Sequence, residues 1–110
     1  MLKRLSLAEK LRSFLESGKD WERRKTSLSG VFLLKIPRKG SRPAEIAVEL
    51  NPVDSSGQTK KRRGLILRSL DDLNDYRAII NDAKLEQLMK TIEQVNPRGE
   101  RGEGEEPLEI

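Results

Sequence analysis

Four consecutive cations, Lys60-Lys61-Arg62-Arg63, are the strongest chemical signal in this 110-residue chain. Two further basic groups accompany them. One is Arg23-Arg24-Lys25, and the other is Arg38, Lys39 and Arg42 in a turn with a proline at each end, Pro37 and Pro43. Lysines and arginines a few ångströms apart suit one task above others, the holding of a phosphate backbone, where each contact releases condensed counterions. Trp21 and Phe32 are the aromatic residues nearest these cations, and an unstacked base gains about 1–3 kcal/mol from an aromatic face. Trp21, flanked by basic residues, is the stacking candidate, with packing against the first helix as its other role. Phe32 is expected in the strand core. A solvated cationic surface is the plain alternative for any one cluster, but three clusters within fifty residues point to a polyanion.

Other chemistries are narrowed by what is absent. The chain has no cysteine and no histidine. Disulfides, thiolate metal sites and both Ser-His-Asp and Cys-His nucleophilic machinery are therefore excluded. Asp71, Asp72 and Asp75 raise the thought of a magnesium-dependent nuclease. Acidic residues in the first turn of a helix are better explained by the helix dipole. The expectation is a protein that is not an enzyme, with no cofactor and no metal.

Charge is segregated along the chain. Residues 19–68 carry thirteen basic and five acidic side chains, a local +8, whereas residues 69–95 carry three basic and six acidic. Such asymmetry marks the middle of the chain as the surface for a polyanion. Dense mixed charge without cysteine is also the habit of thermophile proteins. No stretch is apolar enough to span a bilayer, and the start of the chain reads as an amphipathic helix and not a secretion signal. A soluble, cytoplasmic, nucleoid-associated protein is expected.

The elements that must position these residues follow from periodicity. Ser6-Leu7-Ala8-Glu9 is a capping box, and Leu7, Leu11, Phe14 and Leu15 recur at helical spacing up to Gly18. Residues 19–25 read as a charged connector. Leu28–Ile36 reads as a strand apolar on both faces, and Ala44–Leu50 as a strand with one polar face. After a turn at Asp54-Ser55-Ser56-Gly57, a third strand runs from about Lys61 to Arg68. It begins basic, so its cations should alternate between the two faces of the sheet. Ser69-Leu70-Asp71-Asp72 caps a second helix with a stripe of Leu70, Leu73, Tyr76, Ile79 and Ile80. Asp82 caps a third, Ala83 to about Val95, stopped by Asn96-Pro97. The fold class is α+β: one helix, an antiparallel sheet of three or four strands, and two helices expected to pack on it. Residues 1–96 form the domain.

Leu85, Leu88, Ile92 and Val95, with Met89 beside them, occupy a and d positions of two heptads. They suit either packing on the sheet or an interface in a homodimer or higher oligomer. The residues beyond Asn96, rich in glycine and glutamate, are expected to form a disordered acidic tail. That tail could compete for the basic surface or offer Leu108 and Ile110 to a protein partner.

Val53–Val95 resembles the end of transcriptional-coactivator single-strand binders: Gly57, then Lys60-Lys61-Arg62-Arg63-Gly64-Leu65-Ile66-Leu67, then a capped helix. With helix 1 included, residues 6–95 are more similar to the ThermoDBP-related single-stranded DNA-binding proteins of thermophilic archaea. That resemblance implies a passive binder of single-stranded DNA with little sequence preference. It would implicate the first strand, the basic strand and adjacent connectors. The other readings are an RNA-binding or ribosome-associated protein, using the same cations on folded RNA, and a dimeric protein-interaction adaptor.

Glycines tether Glu100, Glu103, Glu105 and Glu106 to the basic region, at an effective concentration on the order of millimolar. Deleting residues 97–110 should tighten single-strand binding at low salt, and the gain should fade as salt is raised. Equal affinities of the two forms at low salt would show that the tail does not compete.

Overall fold

A computed structural model describes residues 4–97; the expected acidic tail beyond Pro97 lies outside the described residues. The element order is α1 (Leu7–Ser17), β1 (Arg23–Lys25), β2 (Val31–Ile36), β3 (Glu45–Leu50), β4 (Leu65–Leu67), α2 (Leu70–Ile80) and α3 (Ala83–Val95). The strands form one antiparallel sheet in the order β1-β2-β3-β4. The α+β class is therefore correct, and the sheet has four strands. Among the described residues, no helix is long and apolar enough to cross a membrane.

Two strand boundaries differ from expectation. The connector contains β1, an exposed edge strand of Arg23, Arg24 and Lys25 with no apolar alternation to reveal it. β2 starts at Val31 and not at Leu28. Thr26 holds residues 26–31 in a turn, its hydroxyl accepting from the Leu28 amide at 3.1 Å and donating to the Val31 carbonyl at 2.7 Å. Gly30 sits in that turn at φ 81°, where a side chain would be strained.

Register assigns the faces, because paired residues in an antiparallel ladder project to the same side. Arg24, Leu33 and Val48 share one face with Lys35 and Leu67. α1 lies on it. Its start is the expected capping box, with Glu9 N–H donating to Ser6 Oγ at 3.1 Å and Ser6 N–H to Glu9 Oε1 at 3.0 Å. Phe14 is its one buried residue, 1% exposed, while Leu7, expected in the apolar stripe, is 72% exposed. The Arg24 guanidinium lies 4.4 Å from the Phe14 ring centroid, a cation–π contact. Lys35 is buried in the middle of β2 without a carboxylate. Its ammonium donates to the Leu15 carbonyl and, at 3.1 Å, to that of Gly18. A cation at the negative end of a helix is stabilised there by the unpaired terminal carbonyls.

The opposite face carries Arg23, Phe32, Leu34, Ala47, Glu49 and Ile66. α1 does not cover it, and the site described below is built there.

The chain divides between Leu73 and Asn74 into two compact units. α2 opens with half of the expected capping box: Asp72 N–H donates to Ser69 Oγ at 3.0 Å, but the Asp72 carboxylate accepts from Arg68 N–H. Asp82 caps α3 by accepting from Lys84 N–H at 2.8 Å. The expectation that the apolar stripes of α2 and α3 are buried against the sheet is not met. No residue of either helix is buried, and Ile79 and Ile80 are each 58% exposed. Apolar periodicity identifies the helix but not what covers its stripe.

Phe14→Ala should lower the unfolding free energy by about 3–5 kcal/mol, the usual cost of emptying a buried aromatic site. Urea denaturation measures it, and a loss under about 1 kcal/mol would show that α1 is not integral to the core.

Candidate nucleic-acid interface

The site begins with a carboxylate where one is rarely found. Glu49 lies in a central strand and is 2% exposed. Its Oε2 accepts from Gly64 N–H at 2.8 Å, from Asn51 Nδ2 at 3.1 Å and from Arg23 Nη2 at 2.9 Å, while Oε1 accepts from Arg23 Nε at 2.7 Å. Burial alone would raise the Glu49 pKa, but the bonds from Gly64, Asn51 and Arg23 together hold it below the usual carboxylate range.

Asn51, fully buried, extends this network to the basic run. Its Oδ1 accepts from Lys61 N–H at 3.1 Å and its Nδ2 donates to the Lys61 carbonyl at 2.9 Å. One side chain thus imitates a strand partner for Lys61, and Glu49 does the same for Gly64. Gly64 must be glycine, since a Cβ there would stand 2.1 Å from the Leu50 carbonyl oxygen. This corrects the expected third strand. Lys60–Arg63 form a bent loop, and only Leu65–Leu67 is extended. The four cations therefore do not alternate across a sheet.

Arg23 links the loop to β1. Besides its double bond to Glu49, it donates from Nη2 to the Arg62 carbonyl at 3.4 Å and lies 5.4 Å from the Phe32 ring centroid. The loop and Arg23 together roof Glu49 and Phe32. Beside this roof is an open groove of about 410 Å³, lined by Trp21, Arg23, Leu34, Arg62, Arg63 and Ile66 along with Glu49 and Gly64. Leu34 and Ile66 come from the sheet face, so its floor is apolar. Trp21 is 60% exposed and has φ 63°, a left-handed conformation in a bulky residue. Its N–H donates to the Lys35 carbonyl at 2.7 Å, which holds it there. Such strain costs on the order of 1–3 kcal/mol and is concentrated at functional sites.

The sequence-predicted residues are only partly brought together. Trp21, Arg23, Arg62 and Arg63 meet in the groove. Phe32 is 5% exposed beneath Arg23, so its role as a stacking surface is not met and its core role is. Arg24 is on the opposite face, against Phe14 and ion-paired with Glu22 at 3.0 Å. Lys25 lines a separate cavity of about 150 Å³ near Thr26 and Val53. Arg38, Lys39 and Arg42 occupy the β2–β3 turn, at the end of the sheet away from the Lys60–Arg63 loop. A single continuous track through all three basic clusters is therefore not formed. Arg68 is ion-paired with Glu45. Among the described residues, no ion pair engages Lys60, Lys61, Arg62 or Arg63. Glu49, Asn51, Leu34 and Ile66 escaped sequence reasoning. A glutamate alternating with apolar residues reads as a solvent-facing strand position, and only tertiary structure buries it.

On α3, Leu88, Met89, Ile92 and Val95 are exposed, by 37% to 76%, and Leu85 is half-buried. No protein-family model, curated protein or solved structure matches the chain.

The depressed Glu49 pKa gives a pH dependence with a definite sign. Its stabilising contribution is complete above the ordinary glutamate value of 4.5 and is lost as pH falls through the lower folded-state value. Glu49→Gln should therefore be less stable than wild type at pH 7, with the difference shrinking below about pH 4. Denaturant unfolding across that range measures it; a constant difference would mean that Glu49 is not charged in the fold.

Proposed function

We propose that this protein is a passive binder of single-stranded DNA with little sequence preference. The observation that carries the reading is the groove in which an exposed, strained tryptophan and three arginines surround an apolar floor. Single-strand binders combine these features: cations hold phosphates, and an aromatic face accepts a base without reading its identity. A duplex offers no unstacked base to Trp21. The reading agrees with the resemblance to ThermoDBP-related archaeal proteins and with the dense mixed charge of thermophile proteins. It places the protein on cellular DNA. RNA is the second reading, favoured by the same groove, because phosphates and stacked bases are common to both.

Trp21 is the only tryptophan, so its fluorescence reports directly on stacking. Titration with single-stranded DNA, duplex DNA and RNA at two salt concentrations should quench it with single strands, DNA most tightly. Trp21→Ala should weaken binding by about one to two orders of magnitude, the equivalent of 1–3 kcal/mol. Arg62→Ala with Arg63→Ala should flatten the log–log salt slope by about 1.4, from roughly 0.7 per phosphate contact. Unchanged affinity and slope in both variants would exclude the groove, and preference for RNA would transfer the function to RNA.

We also propose that the exposed α3 stripe pairs with a second copy of the chain. Leu88→Glu with Ile92→Glu should yield a folded protein of lower mass by light scattering. A wild type already monomeric at working concentration would exclude it.

A further inference from the structure

We propose that the groove receives the end of a strand, with a terminal phosphomonoester held by Arg23, Arg62 and Arg63, an inference that rests on the single-strand reading above. Three features support it. The first is charge. Three guanidinium groups and the one carboxylate of Glu49 line the groove, a net of +2. An internal phosphodiester carries one negative charge, whereas a terminal phosphomonoester carries about 1.5 to 2 at neutral pH.

The second is the state of Arg23. Glu49 occupies its Nε and Nη2, and Nη2 also reaches the Arg62 carbonyl. Its Nη1 protons have no protein partner among the described residues. The guanidinium is thus fixed on one edge and left with a donor pair on the other, a preorganised arrangement for phosphate oxygens.

The third is shape. The bonds from Arg23 to Arg62 and from Gly64 to Glu49 close the groove over Phe32 and Glu49, which are 5% and 2% exposed. A strand continuing along this face would have to pass through that roof; a strand that ends there does not. At about 410 Å³ the groove is near the small end of ligand pockets, roughly 300–1,000 Å³. One terminal nucleotide suits it, its base on Trp21 and its phosphate toward the roof.

Four oligonucleotides of one length and base composition test this: linear with a 5′-phosphate, linear with a 3′-phosphate, linear with both ends hydroxyl, and circular. At low salt, one phosphorylated strand should bind about tenfold more tightly than the hydroxyl-ended strand. The preferred end identifies the strand polarity, and the circle should bind most weakly. Arg63 has no ion-pair partner among the described residues, so Arg63→Gln leaves the fold's ion pairs intact. It should bring the ratio of phosphorylated to hydroxyl-ended affinity toward one. Equal affinities for all four strands, or a ratio unchanged by Arg63→Gln, would overturn end capture while leaving single-strand binding in place. Failure to bind any of the four would overturn both readings.

Discussion

A carboxylate taken out of water must be matched by charge and hydrogen bonds, and the buried Glu49 imposes that requirement on the whole ligand-facing side of the sheet. Arg23 satisfies it from the edge strand, Gly64 from the loop and Asn51 from the end of β3. Each partner is thereby located. Arg23 is held over Phe32, the loop is drawn across the sheet, and Asn51 is turned to grip Lys61 on both its backbone groups. The four-residue cationic run would otherwise be a segment with no apolar anchor and mutual repulsion to extend it. Its position depends on two polar side chains beneath it, not on any burial of its own.

The other side of the sheet is organised by a second buried charge of opposite sign. Lys35 has no carboxylate, and its ammonium is satisfied by carbonyls at the end of α1. This fixes where the helix stops and seats Phe14 on the sheet. The two faces therefore have separate duties. One is closed by α1 and holds the core, and the other remains open and carries the groove. Neighbours in β1 show the division: Arg23 joins the ligand face, and Arg24 packs on the Phe14 ring of the closed face.

The same logic explains why equal charges have unequal value. Arg68 and Arg24 are neutralised by nearby carboxylates. Arg23 is also paired, yet its pairing serves to aim an unused edge into the groove. Arg62 and Arg63 retain their full charge. Counting cations along the chain overstates the phosphate-binding surface, because a cation already facing a carboxylate has fewer counterions to release.

Local chemistry was legible in the sequence. The capping box at Ser6, the Asp82 cap, the span of α3, the apolar strand ending at Ile36 and the basic run before Leu65 depend on neighbours a few residues away, so order along the chain determines them. Trp21 and the cations at 62 and 63 were legible as candidates by type. Tertiary structure decided which candidates meet. Arg23 and Glu49 are 26 residues apart and Asn51 and Lys61 are ten apart, and no periodicity encodes those pairings. It also decided that Phe32 is buried, that Lys60–Arg63 form a loop, and that the β2–β3 turn lies at the far end of the sheet. Side-chain pattern records preferences for burial and backbone shape; register and long-range polar bonds decide which residues share a face.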